Sequence, residues 1–483
     1  MKRLFAVVAL FGLLLAVVPV VRAGIPDPGP ARTNIYLQNL GAADAAVNVA
    51  FTTGESSGQL AWQTDTRLPV PPRTSRPLLY TDLAGSIADG WAGAIEASAA
   101  QPMAGIVSIF WDSSSGARTA ATYEAVDSPQ TQLFLPNLLV RDERQTRVTV
   151  QNTEDAAASI TIQFYNRLGT LVGTKYDTIL AYSEKTYPLH LYPEANFSAT
   201  AGTGSARITA SRKIAAVASI HAADWSGAYT GAYSGQDLLW VPGVFRRYYD
   251  GKWQNYSATI VQNVGDVTAN VTIYFLNLDN SIQHTMTDTI NPRAAAGYNM
   301  ISQGTMDPAK FQAMIQALGD NWQGTMKFTS SQPLAGVSFY WAPSTNVYDN
   351  IAYRAGRDNE GTTNPLAFPA VSRMLRGYIT DQWSTTLVQN LAASGGTLQV
   401  EFHNTAGYKV GSTYNVSIPA SGSVRLNLKT GLDLPGQGLT DLGTDFAGSM
   451  YVTPVGGPRI VAVNHIFYTG EGRASGYSGF AVP

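Results

Sequence analysis

The feature that most constrains this 483-residue chain is that it repeats itself at the spacing of a whole domain. A strand-like stretch ending in Gln-Asn recurs at Gln38-Asn39, Gln151-Asn152, Gln262-Asn263 and Gln389-Asn390, at intervals of 113, 111 and 127 residues. Such a period is too long for a solenoid unit and matches one self-contained module. After each doublet comes an alternating apolar run ending in Phe: Val47-x-Val49-x-Phe51, Ile160-x-Ile162-x-Phe164, Val271-x-Ile273-x-Phe275 and Leu398-x-Val400-x-Phe402. Alternation with period two predicts a strand with one buried face and one wet face, the Phe at the end of the buried row. Turn residues follow, as in Asn166–Gly169 and Asn404–Gly407.

The second half of each module has its own signature. It opens with an aromatic residue, a spacer and Gly at Trp91-Ala92-Gly93, Trp322-Gln323-Gly324 and Phe446-Ala447-Gly448, while the second copy keeps only Gly204. A strand, a Pro-containing turn (Gln101-Pro102, Gln332-Pro333, Gly457-Pro458) and a strand rich in Ala and Gly come next, which suggests close contact between sheets. A Tyr- and Gly-rich hairpin closes the unit. Short Pro segments at Leu135-Pro136-Asn137, Val241-Pro242-Gly243 and Phe368-Pro369-Ala370, each followed by Arg (Arg141, Arg246, Arg373), read as stiff joints between modules. These readings give an all-β chain of four tandem immunoglobulin- or fibronectin-like sandwiches over residues 24–130, 131–238, 239–366 and 367–483. Each is expected to fold alone, and the four are expected to line up as a semi-rigid rod. The longer third interval is explained by a helix near 308–318, with Asp307 as N-cap, Pro308 in the first turn and Phe311, Met314, Ile315 and Leu318 at helical spacing.

The address is extracellular. Lys2-Arg3, an apolar run from Leu4 to Val21 and the sequence Val21-Arg22-Ala23 read as a secretory signal over residues 1–23, cleaved before Gly24; a retained anchor is the alternative. There is no cysteine, which excludes disulfides and thiolate chemistry. Charged residues make up 14% and the net charge is −2, so the chain has no electrostatic footprint for nucleic acid or anionic lipid. No membrane contact is expected once the signal is removed.

The motifs that could carry chemistry are few. Gly54-Glu55-Ser56-Ser57-Gly58 fits G-x-S-x-G, but it falls at a hairpin turn, no helical pattern follows, and the first histidine is His190. His190, His221, His284, His403 and His465 share no metal-ligand spacing. No catalytic residue, metal or cofactor is therefore expected. The better lead is aromatic. Tyr248, Tyr249, Trp253 and Tyr256 lie beside Arg and Asn after the Val241-Pro242 joint, and Trp225, Tyr229 and Tyr233 form a second cluster. These residue types suit either sugar stacking and protein hot spots or the sealing of seams between modules.

The joint Pro, the Val-Gln-Asn strand, the strand ending in Phe and the Gly-Ser-Ala and Ile-Ala-Ala-Val strands together resemble tandem immunoglobulin-like repeats of secreted and surface proteins from filamentous, Chloroflexota-like bacteria. The resemblance spans nearly the whole mature chain, although the first copy has Ile35-Tyr36-Leu37-Gln38 and lacks the aromatic joint. It implies a setting and no catalytic mechanism. Two functions follow as expectations: a non-enzymatic structural or adhesive cell-surface protein, able to polymerise with itself or bind other surface proteins, and an extracellular carbohydrate-binding protein using the Tyr/Trp clusters on glycans.

Overall fold

The computed structural model describes residues 29–54, 60–64, 67–83, 85–112, 118–141, 143–222, 225–249, 254–343, 348–357, 360–376, 381–430, 439–468 and 473–483. The expected signal segment, Glu55–Gly58 and Trp253 lie outside them. The fold is all-β, and every strand pair is antiparallel.

Each copy of the sequence signature builds the same pair of sheets. In the inner sheet a short strand, the Gln-Asn strand, the small-residue strand and a closing strand lie side by side. For the first copy these are Ser75–Leu78, Ala31–Asn39, Met103–Asp112 and Arg118–Glu124. For the fourth they are Ser423–Asn427, Asp381–Asn390, Ile460–Tyr468 and Arg473–Ser478. The outer sheet holds the Phe strand, flanked by its hairpin partner and by the strand that carries the aromatic-x-Gly motif. In the second and third copies one strand serves both sheets. Thr203–Ala222 pairs with Ala158–Asn166 through its first half and with Arg144–Asn152 through its second. Trp322–Pro343 does the same between Ala269–Asn277 and Gln254–Asn263. The Pro-containing turn expected within each copy is thus, in the third, a bend in a continuous 22-residue strand.

The strands are ordered by the alternation in the sequence. Phe51, Phe164, Phe275 and Phe402 are all at most 1% exposed, each at the end of its strand's inward row. Pro308–Leu318 is helical. Asp307 caps it by accepting from the amides of Ala309 and Lys310, and Phe311, Met314 and Leu318 bury against the core of the third copy.

Two expectations about the joints are corrected. Pro136, Pro242 and Pro369 do not sit in linkers. They lie inside strands Gln130–Arg141, Gln236–Arg246 and Leu366–Arg373, where the pairing register slips. A bulge is where a strand tolerates a residue with no amide hydrogen. Nor do the copies form a rod. The closing strand Arg118–Glu124 packs against Ser226–Thr230 and Arg473–Ser478, and Tyr348–Arg354 packs against the same two, so four closing strands form a ring around one centre. The physical reason is side-chain size. Ala120, Ala121, Ser226, Ala228, Ala474 and Ser475 are all buried there, and with Gly227 and Gly476 they let four strand edges approach where larger residues would hold them apart. Glu124 ties the ring: its carboxylate accepts from Thr230 Oγ1 at 3.1 Å and from the Ser478 amide at 2.6 Å.

The apolar cores run across these boundaries. The cluster around Phe164 takes in Val337, Phe339 and Ala352, that around Phe275 takes in Trp383, Leu387 and Phe467, and that around Phe402 takes in Ile106 and Ala120.

Candidate functional site

The Gln-Asn doublet, the Tyr of the closing strand and the aromatic-x-Gly motif are the residues the chain repeats, and each has a defined task. Asn is a clamp. Asn263 is fully buried; its Nδ2 donates to Val267 O (2.8 Å) and Ile290 O (2.9 Å), and its Oδ1 accepts from the Gly265 amide (2.9 Å). Asn39, Asn152 and Asn390 make the same set, pinning the turn after their strand to the strand behind it. Buried backbone groups must be paired, and one short amide side chain supplies both donor and acceptor.

Gln faces the preceding copy. Gln262 donates to Ser205 Oγ (3.0 Å), and Gln389 accepts from Thr325 Oγ1 (2.8 Å). Ser205 and Thr325 stand directly after the glycine of the aromatic-x-Gly position. The next copy answers with a turn residue held in the left-handed region: Tyr182, Arg293, Ser421 and Arg73, at φ between 48° and 63°. Thr52 Oγ1 donates to Tyr182 O (2.8 Å) and Ser205 Oγ to Arg293 O (3.2 Å). At the seam that closes the ring, Ser449 Oγ donates to Arg73 O (3.0 Å), Tyr451 OH donates to Asn39 O (3.1 Å), and Arg73 pairs with Glu401 at 3.1 Å.

The aromatic-x-Gly motif is a packing device. A Cβ on Gly324 would lie 2.1 Å from Leu276 O and 2.3 Å from the Trp322 ring, because that ring folds over the glycine and meets Phe275 edge-on. Trp91 covers Gly93 and meets Phe51, and Phe446 covers Gly448 and meets Phe402. The second copy, which lacks the aromatic in sequence, fills the place with Phe197, 6.3 Å from Phe164.

The aromatic candidates divide. Tyr229 is 1% exposed. Its hydroxyl donates to Asn137 O at 2.6 Å and accepts from the Asn137 amide, locking the Pro136 bulge; Tyr477 does the same at Ala370, and Tyr353 donates to Pro242 O. Burial pushes all three hydroxyls well above the usual tyrosine range. Trp225 is buried edge-on to Trp341 at 6.1 Å, and Tyr256 stacks on the same Trp341 at 5.2 Å. Trp225 thus meets the third copy through one indole. Tyr248 is half-buried, 5.6 Å from the Phe245 ring, with the Arg425 guanidinium of the fourth copy 5.7 Å from its face. Tyr249 is 57% exposed and Tyr233 40%.

The histidines are spent on packing. Both ring nitrogens of His221 lie 3.1 Å from hydroxyls, Ser226 and Ser219, and Trp111 stands edge-on at 4.7 Å. Burial, and then the positive charge of Arg147, lower its pKa to about 3. His465 stacks on Tyr340 at 5.1 Å, and burial lowers it to about 3 as well. His190, His284 and His403 are also lowered by burial. The Ser226–His221 contact has no carboxylate on the far nitrogen, which faces Ser219, and both residues are buried. Among the described residues no three His, Asp or Glu side chains group as a metal site.

Residues 29–246 match the model of a family of unknown function, DUF5719. No curated protein matches the chain. The crystal structure of Thermotoga maritima 1070 aligns with 26% of this chain and 96% of its own at 15% identity, with a TM-score of 0.20. Red sea bream transglutaminase aligns with 42% of this chain and 29% of its own at 14% identity, with a TM-score of 0.10. Scores this low establish no common fold.

Proposed function

We propose that the protein is a non-enzymatic structural or adhesive protein displayed outside the cell, and that it works as a closed ring of β-repeats and not as an extended spacer. The observation that supports this reading most directly is where the chain's polar and aromatic repertoire goes. Gln262, Gln389, His221, His465, Trp225 and Tyr248 meet neighbouring copies, and the repeated Asn and closing-strand Tyr brace turns and bulges within each copy. No helix among the described residues is long and apolar enough to cross a membrane. The low charge and the absence of cysteine suit a neutral surface module that relies on core burial.

Carbohydrate binding is the second reading. It rests on Tyr249 and Tyr233, the two members of the clusters with substantial exposure. Trp225, Tyr229 and Tyr256 favour the structural reading, because their rings already have partners across or within the copies. Immunogold microscopy of native cells separates the readings. Label on a surface coat or filament supports the structural role, and label confined to the cell interior overturns it. A glycan array bound by the full chain and lost on Tyr249→Ala would establish the second reading instead.

A further inference from the structure

The seam that closes the ring is less filled than the seam before it. Between the third and fourth copies, Phe245 packs against Tyr340 at 5.0 Å and Tyr248 at 5.6 Å, and the Arg425 guanidinium lies 5.7 Å from the Tyr248 ring. The repeat gives Phe245, Tyr340 and Arg425 counterparts between the fourth and first copies. Ser372 holds the place of Phe245: its amide donates to Ser384 Oγ as that of Phe245 donates to Ser257 Oγ. Ile466 holds the place of Tyr340, each six residues after the one opposite the doublet Asn. Pro77 holds the place of Arg425, each paired with the residue two before the doublet Gln. Shorter side chains thus replace three long ones, and a cavity of about 70 Å³ opens where they meet.

The lining defines what the cavity can hold. Tyr36, Ser75 and Pro77 of the first copy face Pro369, Ser372 and Tyr468 of the fourth. Ser75 and Ser372 are 2% and 5% exposed, and the Oγ of each has no hydrogen-bond partner among the described residues. At the preceding seam the hydroxyl that matches Ser75, that of Ser423, bonds Thr325 and Gln389. Buried hydroxyls without partners are costly, so two around one cavity call for a guest that hydrogen-bonds to both. Among the described residues no charged side chain lines the cavity, so a neutral guest fits and an ion would be buried without a counter-charge. The Tyr and Pro faces suit C–H groups. The space is that of about five waters, close to one sugar ring.

We propose that this cavity binds one neutral sugar ring, such as the terminal pyranose of a glycan, held by serine hydroxyls of both the first and the fourth copies. Neighbouring hydroxyls of the sugar can each give to and take from one serine, while its C–H face lies on the Tyr and Pro walls. Because the sugar touches both copies, it binds the closed ring and stabilises closure. The site is separate from Tyr233 and Tyr249, neither of which lines it, and the structural role does not depend on it.

Saturation-transfer NMR on the full chain, with glucose, galactose, mannose and N-acetylglucosamine each at millimolar concentration, tests the site. At least one sugar should receive saturation from the protein. Ser372→Phe, which restores the residue of the third copy, should abolish the transfer in a folded chain. Ser75→Ala should weaken binding about fivefold, the worth of one hydrogen bond, and decides alone if Ser372→Phe does not fold. The bound sugar should slow hydrogen exchange in both Ser75–Leu78 and Leu366–Arg373. Transfer to none of these sugars leaves the cavity to water and overturns the proposal, as does binding undiminished by either serine variant or protection confined to one copy. Tyr249→Ala should leave the binding unchanged. Loss of binding in that variant instead assigns the sugar to the exposed aromatic cluster, which overturns this site and supports the second reading above.

Discussion

The Asn of the Gln-Asn doublet is the most exacting place to test the account of the fold. Replacing Asn263 with Ala removes three donated contacts, to Val267 O, Ile290 O and Asn291 O, and one accepted bond, and leaves a cavity of a few atoms. Gly265 N and Ile290 O lie on the buried side of the clamp, while Val267 O is nearer solvent. A buried backbone group left without a partner costs about 1–3 kcal/mol, and a group that water can reach costs far less. Two orphaned groups therefore predict a loss of about 2–6 kcal/mol for Asn263→Ala, a large part of a domain's stability. Asn263→Asp sharpens the argument because it keeps the shape. The carboxylate can still accept from Gly265 N, but it turns an oxygen toward Val267 O and Ile290 O where a donor stood. At neutral pH it should be at least as damaging as Ala despite the better fit. Urea denaturation gives the magnitude, and hydrogen exchange by mass spectrometry locates it, with faster exchange expected over 263–300. A loss under about 1 kcal/mol for Ala, or an Asp variant close to wild type, would refute the clamp as the reason the doublet repeats.

Other consequences can be checked in parallel. Phe164→Ala should cost about 3–5 kcal/mol, since the ring is fully buried against Phe197; a near-neutral result would place the residue outside the core. His221 and His465 have folded pKa values of about 3, below their unfolded value of 6.5, so the unfolded chain binds more protons between the two. Their contribution is complete above pH 6.5 and falls as pH drops toward 3, by on the order of 1 kcal/mol per pH unit for each; His465→Phe should flatten that slope in acid denaturation, and an unchanged slope would contradict the assigned burial. Residues 131–238 expressed alone should melt below the full chain and bind an apolar dye, because Val337, Phe339 and Ala352 no longer cover the Phe164 core; an isolated copy as stable as the whole would argue against ring closure.

Local order was legible in the sequence because it rests on short-range rules. Alternation placed Phe51, Phe164, Phe275 and Phe402 on inward rows, and Asp307-Pro308 marked the helix start. The all-β class followed from the same patterns. The Pro segments were misread because Pro usually ends regular structure, and a bulge that absorbs it leaves no local sign. Phe197 was missed for a related reason. It replaces Trp91, Trp322 and Phe446 in space but lies seven residues before Gly204 and not two, so no fixed spacing points to it. Of the aromatic candidates, Tyr229 shares its hydroxyl task with Tyr353 and Tyr477, so comparison of the closing hairpins between copies carried a signal. Tyr256 has its parallel in Trp383, six residues before the next Gln-Asn doublet and stacked on Phe467 as Tyr256 is on Trp341, whereas Tyr248 and Tyr249 have none.

The ring is the part that local patterns could not supply, yet its ingredients are in the sequence. A strand edge of Ala, Gly and Ser has little apolar area of its own, so its burial contributes little within one copy. Its value lies in what it admits. Three such edges, on the first, second and fourth closing strands, meet closely enough for Ser226 to reach Thr119 at 2.9 Å and for one carboxylate, Glu124, to hold two neighbours. Bulky residues in place of Ala120, Ala121, Ala228 or Ala474 would push the neighbouring strands apart. Gln262 and Gln389, bonded across their seams, then fix the angle between those copies, and the last seam, Ser449 and Tyr451 against Arg73 and Asn39, can form only if the preceding angles bring the fourth copy back to the first. Closure is therefore a property of all four copies together. It accounts for the residues repeated at the seams, as the bracing of a turn accounts for the repeated Asn.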